Sequence, residues 1–127
     1  MSQTIEEVLE KIQGRDSRFA NEAYLFVSEA LGETVRRLGR QKAPVGKRHV
    51  SGQELAEGMA DFALDRFGPM TFQVLKTWGL GKTRDIGDIV YTLIDEKVFS
   101  KSESDSIEDF DDVYDFRTRF LVPWETR

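Results

Sequence analysis

The sequence predicts a mainly α-helical single domain, residues 1–127, of about five helices with a short extended or β-hairpin-like C-terminal segment. Up to Val98, apolar residues recur at three- and four-residue intervals, the spacing of helices that each bury one face. Hydroxyl residues that start helices (Thr4, Ser51, Thr83) and glycines that stop them (Gly14, Gly39, Gly68, Gly79) bracket those stretches. After Phe99 the rhythm shifts towards alternation, and nine Phe, two Trp and three Tyr supply the bulk for one core.

The first helix begins at Thr4, which forms a T-x-x-E capping box with Glu7. Ile5, Val8, Leu9 and Ile12 follow in phase, and Gly14 suits a left-handed stop. The second helix spans Asn21 to Leu38 with Tyr24, Val27, Leu31, Val35 and Leu38 in one stripe. Phe26 and Ala30 widen the stripe, which marks this helix as central. Residues 39–50 form a basic linker broken by Pro44 and Gly46.

Ser51 and Glu54 form a second capping box, with Val50 stapled onto Leu55. Leu55, Met59, Phe62 and Phe67 face inward until Gly68-Pro69 ends the third helix and Pro69 opens the fourth. Met70, Val74, Leu75 and Trp78 mark the buried face of that short helix, and Gly79-Leu80 reads as a Schellman stop. Thr83 caps a fifth helix with the cleanest period in the chain: Ile86, Ile89, Val90, Leu93 and Ile94. The expected core is Tyr24, Val27, Leu31, Leu55, Phe62, Val74, Trp78, Ile86, Ile89, Val90 and Leu93.

Beyond residue 106, Tyr114, Phe116 and Phe120 alternate with Asp115, Arg117 and Arg119 as in a half-buried strand. Val113, Phe116 and Phe120 also stand at helical spacing, and the strand is the favoured reading. Three helices followed by such a hairpin would make residues 51–120 a winged-helix-like half, with residues 121–127 as a tail.

Composition removes whole classes of chemistry. Without cysteine there are no disulfides, thiolate metal sites, iron–sulfur clusters or cysteine nucleophiles. The single histidine, His49, cannot build a multi-histidine metal centre, and no Gly-x-Ser-x-Gly elbow offers it a nucleophile. No apolar run approaches the length that spans a bilayer, and Glu6, Glu7 and Glu10 argue against a signal peptide. The expected location is the cytoplasm, with no membrane partner and no cofactor. Residues 79–83 (GLGKT) echo a phosphate-binding loop, but Lys76 stands where that motif needs its first glycine. A helix stop followed by a helix cap explains them.

The charges are segregated within a net charge of −5. Residues 36–48 carry Arg36, Arg37, Arg40, Lys42, Lys47 and Arg48 and no acid. Residues 103–115 carry Glu103, Asp105, Glu108, Asp109, Asp111, Asp112 and Asp115 and no base. Counted from Asp109, the acidic run fails the EF-hand register, with Val113 at position 5 and no glycine at position 6. The two patches either pair within the molecule or face partners. The candidate interaction surface comprises these bases, His49, Asp105, Glu108, Asp109, Asp111, Asp112, Asp115 and Trp124.

RFANEAYLFV at 18–27, RHVSGQEL at 48–55, FGPM at 67–70, TWG at 77–79 and DFDDVYDF at 109–116 carry a resemblance. Together they resemble a family of small conserved hypothetical proteins of planctomycetes and verrucomicrobia, over roughly residues 5–120. Asn21 stands where that family has proline, and the basic insert at 41–46 is longer than usual. The resemblance implies no activity, cofactor or catalytic residue.

The expected function is therefore a non-catalytic cytosolic protein-interaction module, its partner chosen by the basic linker (36–48) and the acidic segment (103–115). The alternative is a nucleic-acid-associated winged-helix-like protein. Asp85, Asp88, Asp95 and Glu96 on the would-be recognition helix oppose that, since phosphates repel carboxylates. A small enzyme ranks third.

Overall fold

Period and caps translate into helices almost element by element. The structure, a computed structural model, describes residues 3–42 and 49–125. Five helices form the body: α1 (Ile5–Arg15), α2 (Asn21–Arg37), α3 (Gly52–Phe67), α4 (Thr71–Thr77) and α5 (Thr83–Asp95). A one-turn α6 (Phe116–Phe120) follows, and 3-10 turns occupy Arg40–Lys42, Gly68–Met70, Ile107–Phe110 and Val122–Trp124. The mainly α class holds in one compact domain. Among the described residues no helix is long and apolar enough to cross a membrane.

Both capping boxes form: Thr4 Oγ1 accepts from Glu7 N, and Ser51 Oγ accepts from Glu54 N, each at 3.1 Å. The Schellman stop forms as well, with Gly79 N donating to Lys76 O and Leu80 N to Leu75 O. Gly79 has φ +100°, and a Cβ there would lie 2.5 Å from the Arg18 carbonyl, so both turn and packing demand glycine. The end of α5 repeats the motif with Lys97 at φ 66°.

The α2–α3 seam departs from the sequence reading. The buried face of α2 is Ala23, Tyr24, Phe26, Val27, Ala30 and Thr34; Leu31 and Val35 are half-exposed and Leu38 is 45% exposed. The cause lies on α3, where Ala56, Ala60 and Ala63 are fully buried and a Cβ on Gly58 would collide with the Thr34 side chain. Small residues let the two axes approach, so the seam runs along alanines rather than along the largest side chains. Phe62 and Trp78 are consequently half-buried. They still pack on Phe26, their ring centroids 5.1 and 5.5 Å away.

Four further expectations are corrected. Gly14 is not a stop; α1 runs to Arg15 and closes with Asp16 N donating to Ile12 O. Met70 is 55% exposed because it ends a 3-10 turn, and Thr71 takes the buried place, its hydroxyl donating to Gly68 O at 2.7 Å. Val74 is only half-buried. Thr83 does not cap α5: Lys82 is the cap residue, and the Asp85 carboxylate accepts from Gly81 N and Lys82 N.

The C-terminal segment carries the largest correction. No strand exists among the described residues, so the hairpin and the wing of a winged helix are absent there. Local hydrogen bonds curl the chain instead: Asp109 accepts from Ser106 N at 3.1 Å, and Asp115 accepts from Thr118 N at 2.9 Å. Such side chains offer the backbone an alternative to a ladder, and no partner strand lies alongside.

The resulting strap is fastened to the body. The Phe110 ring lies between Gly52 and Gly87, where an added Cβ would come within 3.0 Å of it on either side. Thr83 Oγ1 donates to Phe110 O at 2.5 Å and accepts from Val113 N at 3.2 Å. Farther on, Tyr114 Oη donates to Ala56 O at 2.9 Å, and Arg119 pairs with Glu57 at 2.7 Å. Phe116 and Phe120 are buried, as expected of an anchored segment.

Candidate functional site

A half-open groove of about 400 Å³ lies where the strap meets the body. Leu31 and Val35 of α2, Val50 and Leu55 at the start of α3, and Val90 and Ile94 of α5 give it apolar walls. Val98 and Phe99 continue the wall past the end of α5, and Phe110 lies at its inner side. The half-exposed residues of α2 thus have a place: the stripe that the α3 seam leaves uncovered becomes a wall.

Polar groups gather at one side. His49 Nε2 stands 2.8 Å from Asp105 Oδ1 and 2.7 Å from Oδ2. Asp105 also accepts from Ser102 N at 2.8 Å. Its carboxyl is held below the usual carboxylate range, since the bonds from Ser102 and His49 together outweigh burial, the largest single influence and one that acts upward. Asp109, Lys101, Ser100 and Ser106 complete the rim.

Tyr91 lines the same groove, yet its hydroxyl oxygen is shielded from water and has no hydrogen-bond partner among the described residues. Burial pushes its pKa up, and the charges acting on it, Asp105, Asp109 and Glu108, push the same way. A phenol in this setting is a neutral hydroxyl and no general base.

Of the predicted surface residues, the described arginines are engaged internally. Arg36 and Arg37 pair with Glu33, and Arg37 also with Asp65 at 2.7 Å. Arg40 holds Glu54 in a fork at 2.6 and 2.7 Å and donates to His49 O at 2.8 Å. That fork, with the Ser51 N–H, draws the Glu54 carboxyl down to about 2. Lys42 is exposed, whereas Lys47 and Arg48 lie outside the described residues, as do the breakers Pro44 and Gly46.

On the acidic side, Glu108 takes the Ser106 hydroxyl, Asp109 caps the turn and Asp115 caps α6. Asp111 pairs with Arg84 at 2.8 Å. Asp112 is exposed in the left-handed region at φ 49°, a conformation aspartate tolerates better than most residues. Trp124 is 47% exposed. Among the described residues no base of 36–48 pairs with an acid of 103–115, and His49, just past the basic stretch, meets Asp105.

Among the described residues no serine hydroxyl reaches the His49 imidazole, and no cluster of three metal-binding side chains occurs. At the start of α5, the Asp85 carboxylate takes the N–H groups that a bound phosphate would need. Sequence reasoning missed Tyr91, Val98 and Phe99 as groove residues. The available signal was that the α2 stripe of Leu31 and Val35, widened by Phe26 and Ala30, is broader than one neighbouring helix covers. Comparison with protein-family models, curated proteins and solved structures found no match for this chain.

Proposed function

We propose that the protein is a non-catalytic, cytosolic protein-interaction module that docks a partner segment in the groove between α2, α5 and the strap. The observation that carries this reading is the groove itself, apolar along its walls and edged by Asp105 and Asp109 together with His49 and Lys101. A partner fitting it presents an apolar anchor flanked by basic residues, the anchor filling the cavity and the bases meeting Asp105 and Asp109. This revises the part given to the basic linker. Arg36, Arg37 and Arg40 are neutralised in pairs, which favours a protein partner over nucleic acid.

The test is position-specific photo-cross-linking. A cross-linking residue at Val98, on the groove wall, is compared with one at Leu25, exposed on α2 outside it. The expected result is an adduct from position 98 that Val35→Arg suppresses and that position 25 does not give. Equal labelling at both positions, or labelling indifferent to Val35→Arg, would overturn the reading.

A further inference from the structure

Between Phe99 and Phe110 the strap changes character. Residues 100–106 read SKSESDS, a stretch without one apolar side chain. Ser100, Lys101, Glu103 and Ser104 are exposed, and Ser102, Asp105 and Ser106 are half-buried. The loop has no apolar side chain to bury against the body. Its local bonds, Ser102 N donating to Asp105 and Ser106 N to Asp109, shape the loop itself without fastening it to a helix. Both ends are fixed. Lys97 turns the chain off α5 at φ 66°, and Phe110 is seated between Gly52 and Gly87.

Among the described residues, one side-chain pair ties this loop to the body, His49 Nε2 with the Asp105 carboxylate. The imidazole side chain is 43% exposed and the carboxylate 16%, and a lone pair so placed is a weak tie. A neighbour opposes it. Tyr91 of α5 lines the same groove as Ser100, Lys101, Asp105 and Ser106, and its hydroxyl is shut from water without a partner. The charges acting on that phenol all belong to the strap, Asp105 foremost among them. A hydroxyl buried unpaired disfavours the arrangement that buries it.

We propose that residues 100–106 are a lid over Tyr91, latched shut by the His49–Asp105 pair, and that breaking the pair releases the loop and admits water to the phenol. The lid has two positions: the latch favours the closed one, and the unpaired hydroxyl favours the open one. Because the loop forms one side of the groove, each opening also widens the groove's mouth. The device belongs to the free chain and does not depend on what the groove holds.

The experiment is nitration of the purified full chain by tetranitromethane, followed at each tyrosine by peptide mapping. The reagent attacks accessible phenolate, and the other two tyrosines serve as internal references. Tyr24 is buried in α2, and Tyr114 lies on the strap past Phe110 with its hydroxyl bonded to Ala56 O. Tyr91 is expected to react slowly in wild type. His49→Ala should quicken its nitration by about fivefold, the worth of one such pair, while Tyr24 and Tyr114 stay protected. Removing the imidazole takes no negative charge away from the phenol, so electrostatics alone would not speed the reaction. His49→Arg, which offers Asp105 a cation again, should return the rate towards that of wild type.

A rate at Tyr91 unchanged in His49→Ala overturns the proposal. Quickening shared by Tyr24 or Tyr114 does so as well, since it signals general unfolding or release of the whole strap. A rate in His49→Arg as high as in His49→Ala removes the latch. None of these results alters the cross-linking comparison of positions 98 and 25, which tests the docking reading separately.

Discussion

The helical body and the C-terminal strap draw on local and tertiary contact in different proportions. In the body, much of the helical order is specified locally: Thr4 with Glu7 and Ser51 with Glu54 start α1 and α3, Gly79 ends α4, and the apolar period fills the turns between. In the strap, no stretch would hold its shape alone. The turn Ile107–Phe110 and the five residues of α6 are far below the length at which an isolated helix persists. What orders them is the surface beneath: a slot between two glycines, the Thr83 hydroxyl and the Ala56 carbonyl. Caps act in both regions, Ser106 with Asp109 and Asp115 with Thr118 in the strap, but only the strap depends on tertiary contact for its course as well.

Removing the strap's main anchor should separate the two most sharply. Phe110→Ala is expected to cost ~3–5 kcal/mol in chemical denaturation. Amide exchange should accelerate over residues 107–120 more than in α2 and α3. Uniform acceleration everywhere would mean that strap and body form one cooperative unit.

Gly87→Ala attacks the same joint from the body side. Its Cβ would sit 2.9 Å from the Phe110 ring, and the overpacking should cost ~1–3 kcal/mol although alanine is the better helix former. A gain in stability would show that the slot yields freely.

Within the body, the effect of a cap should stay local. Ser51→Ala is expected to cost ~0.5–2 kcal/mol by urea titration, with the strap's exchange pattern unchanged. The neighbouring Glu54 adds a pH signature. Its carboxyl lies at about 2 in the folded protein against an ordinary 4.5, so its stabilisation is complete above 4.5 and lost as pH falls towards 2. The advantage of wild type over Glu54→Gln should therefore be full at neutral pH and shrink across that window. An advantage constant through the window would mean that the Arg40 fork contributes nothing.

The smallest effect should be a gain. Tyr91→Phe removes a hydroxyl that is buried without a partner, and thermal melting should show stability raised by about 1 kcal/mol. A loss instead would reveal that the hydroxyl is hydrogen-bonded in solution.

The same contrast explains what the sequence disclosed. Helix positions and most stops in the body were legible because caps and period are encoded within a few residues of where they act. Side-chain exposure within the body was less so. Leu31 looked central by period, but Ala56, Ala60 and Ala63 lie more than twenty positions away and draw the α2 seam onto Ala23 and Ala30. Thr83 looked like a cap because its spacing fits one, and only the arrival of Phe110 and Val113 gives its hydroxyl other work. The strand expected around Phe116 failed for the same reason, since alternation describes a strand only when another strand is there to pair with it. The candidate site was the least legible part. Its walls come from three helices and a strap, and its residues are scattered over four stretches, 31–35, 49–55, 90–101 and 105–110, that only the fold brings together.

Phe110 also imposes an order on assembly. Its slot has one wall on α3 and the other on α5, so it does not exist until those helices have met. The ring therefore cannot nucleate folding; it seats last and leaves first. Its contacts should be missing from the rate-limiting state, so that weakening them quickens unfolding and leaves the folding rate almost untouched. Phe110→Ala should therefore shorten the lifetime of the folded molecule more than it slows its formation, although the ring is held only between two residues that have no side chains.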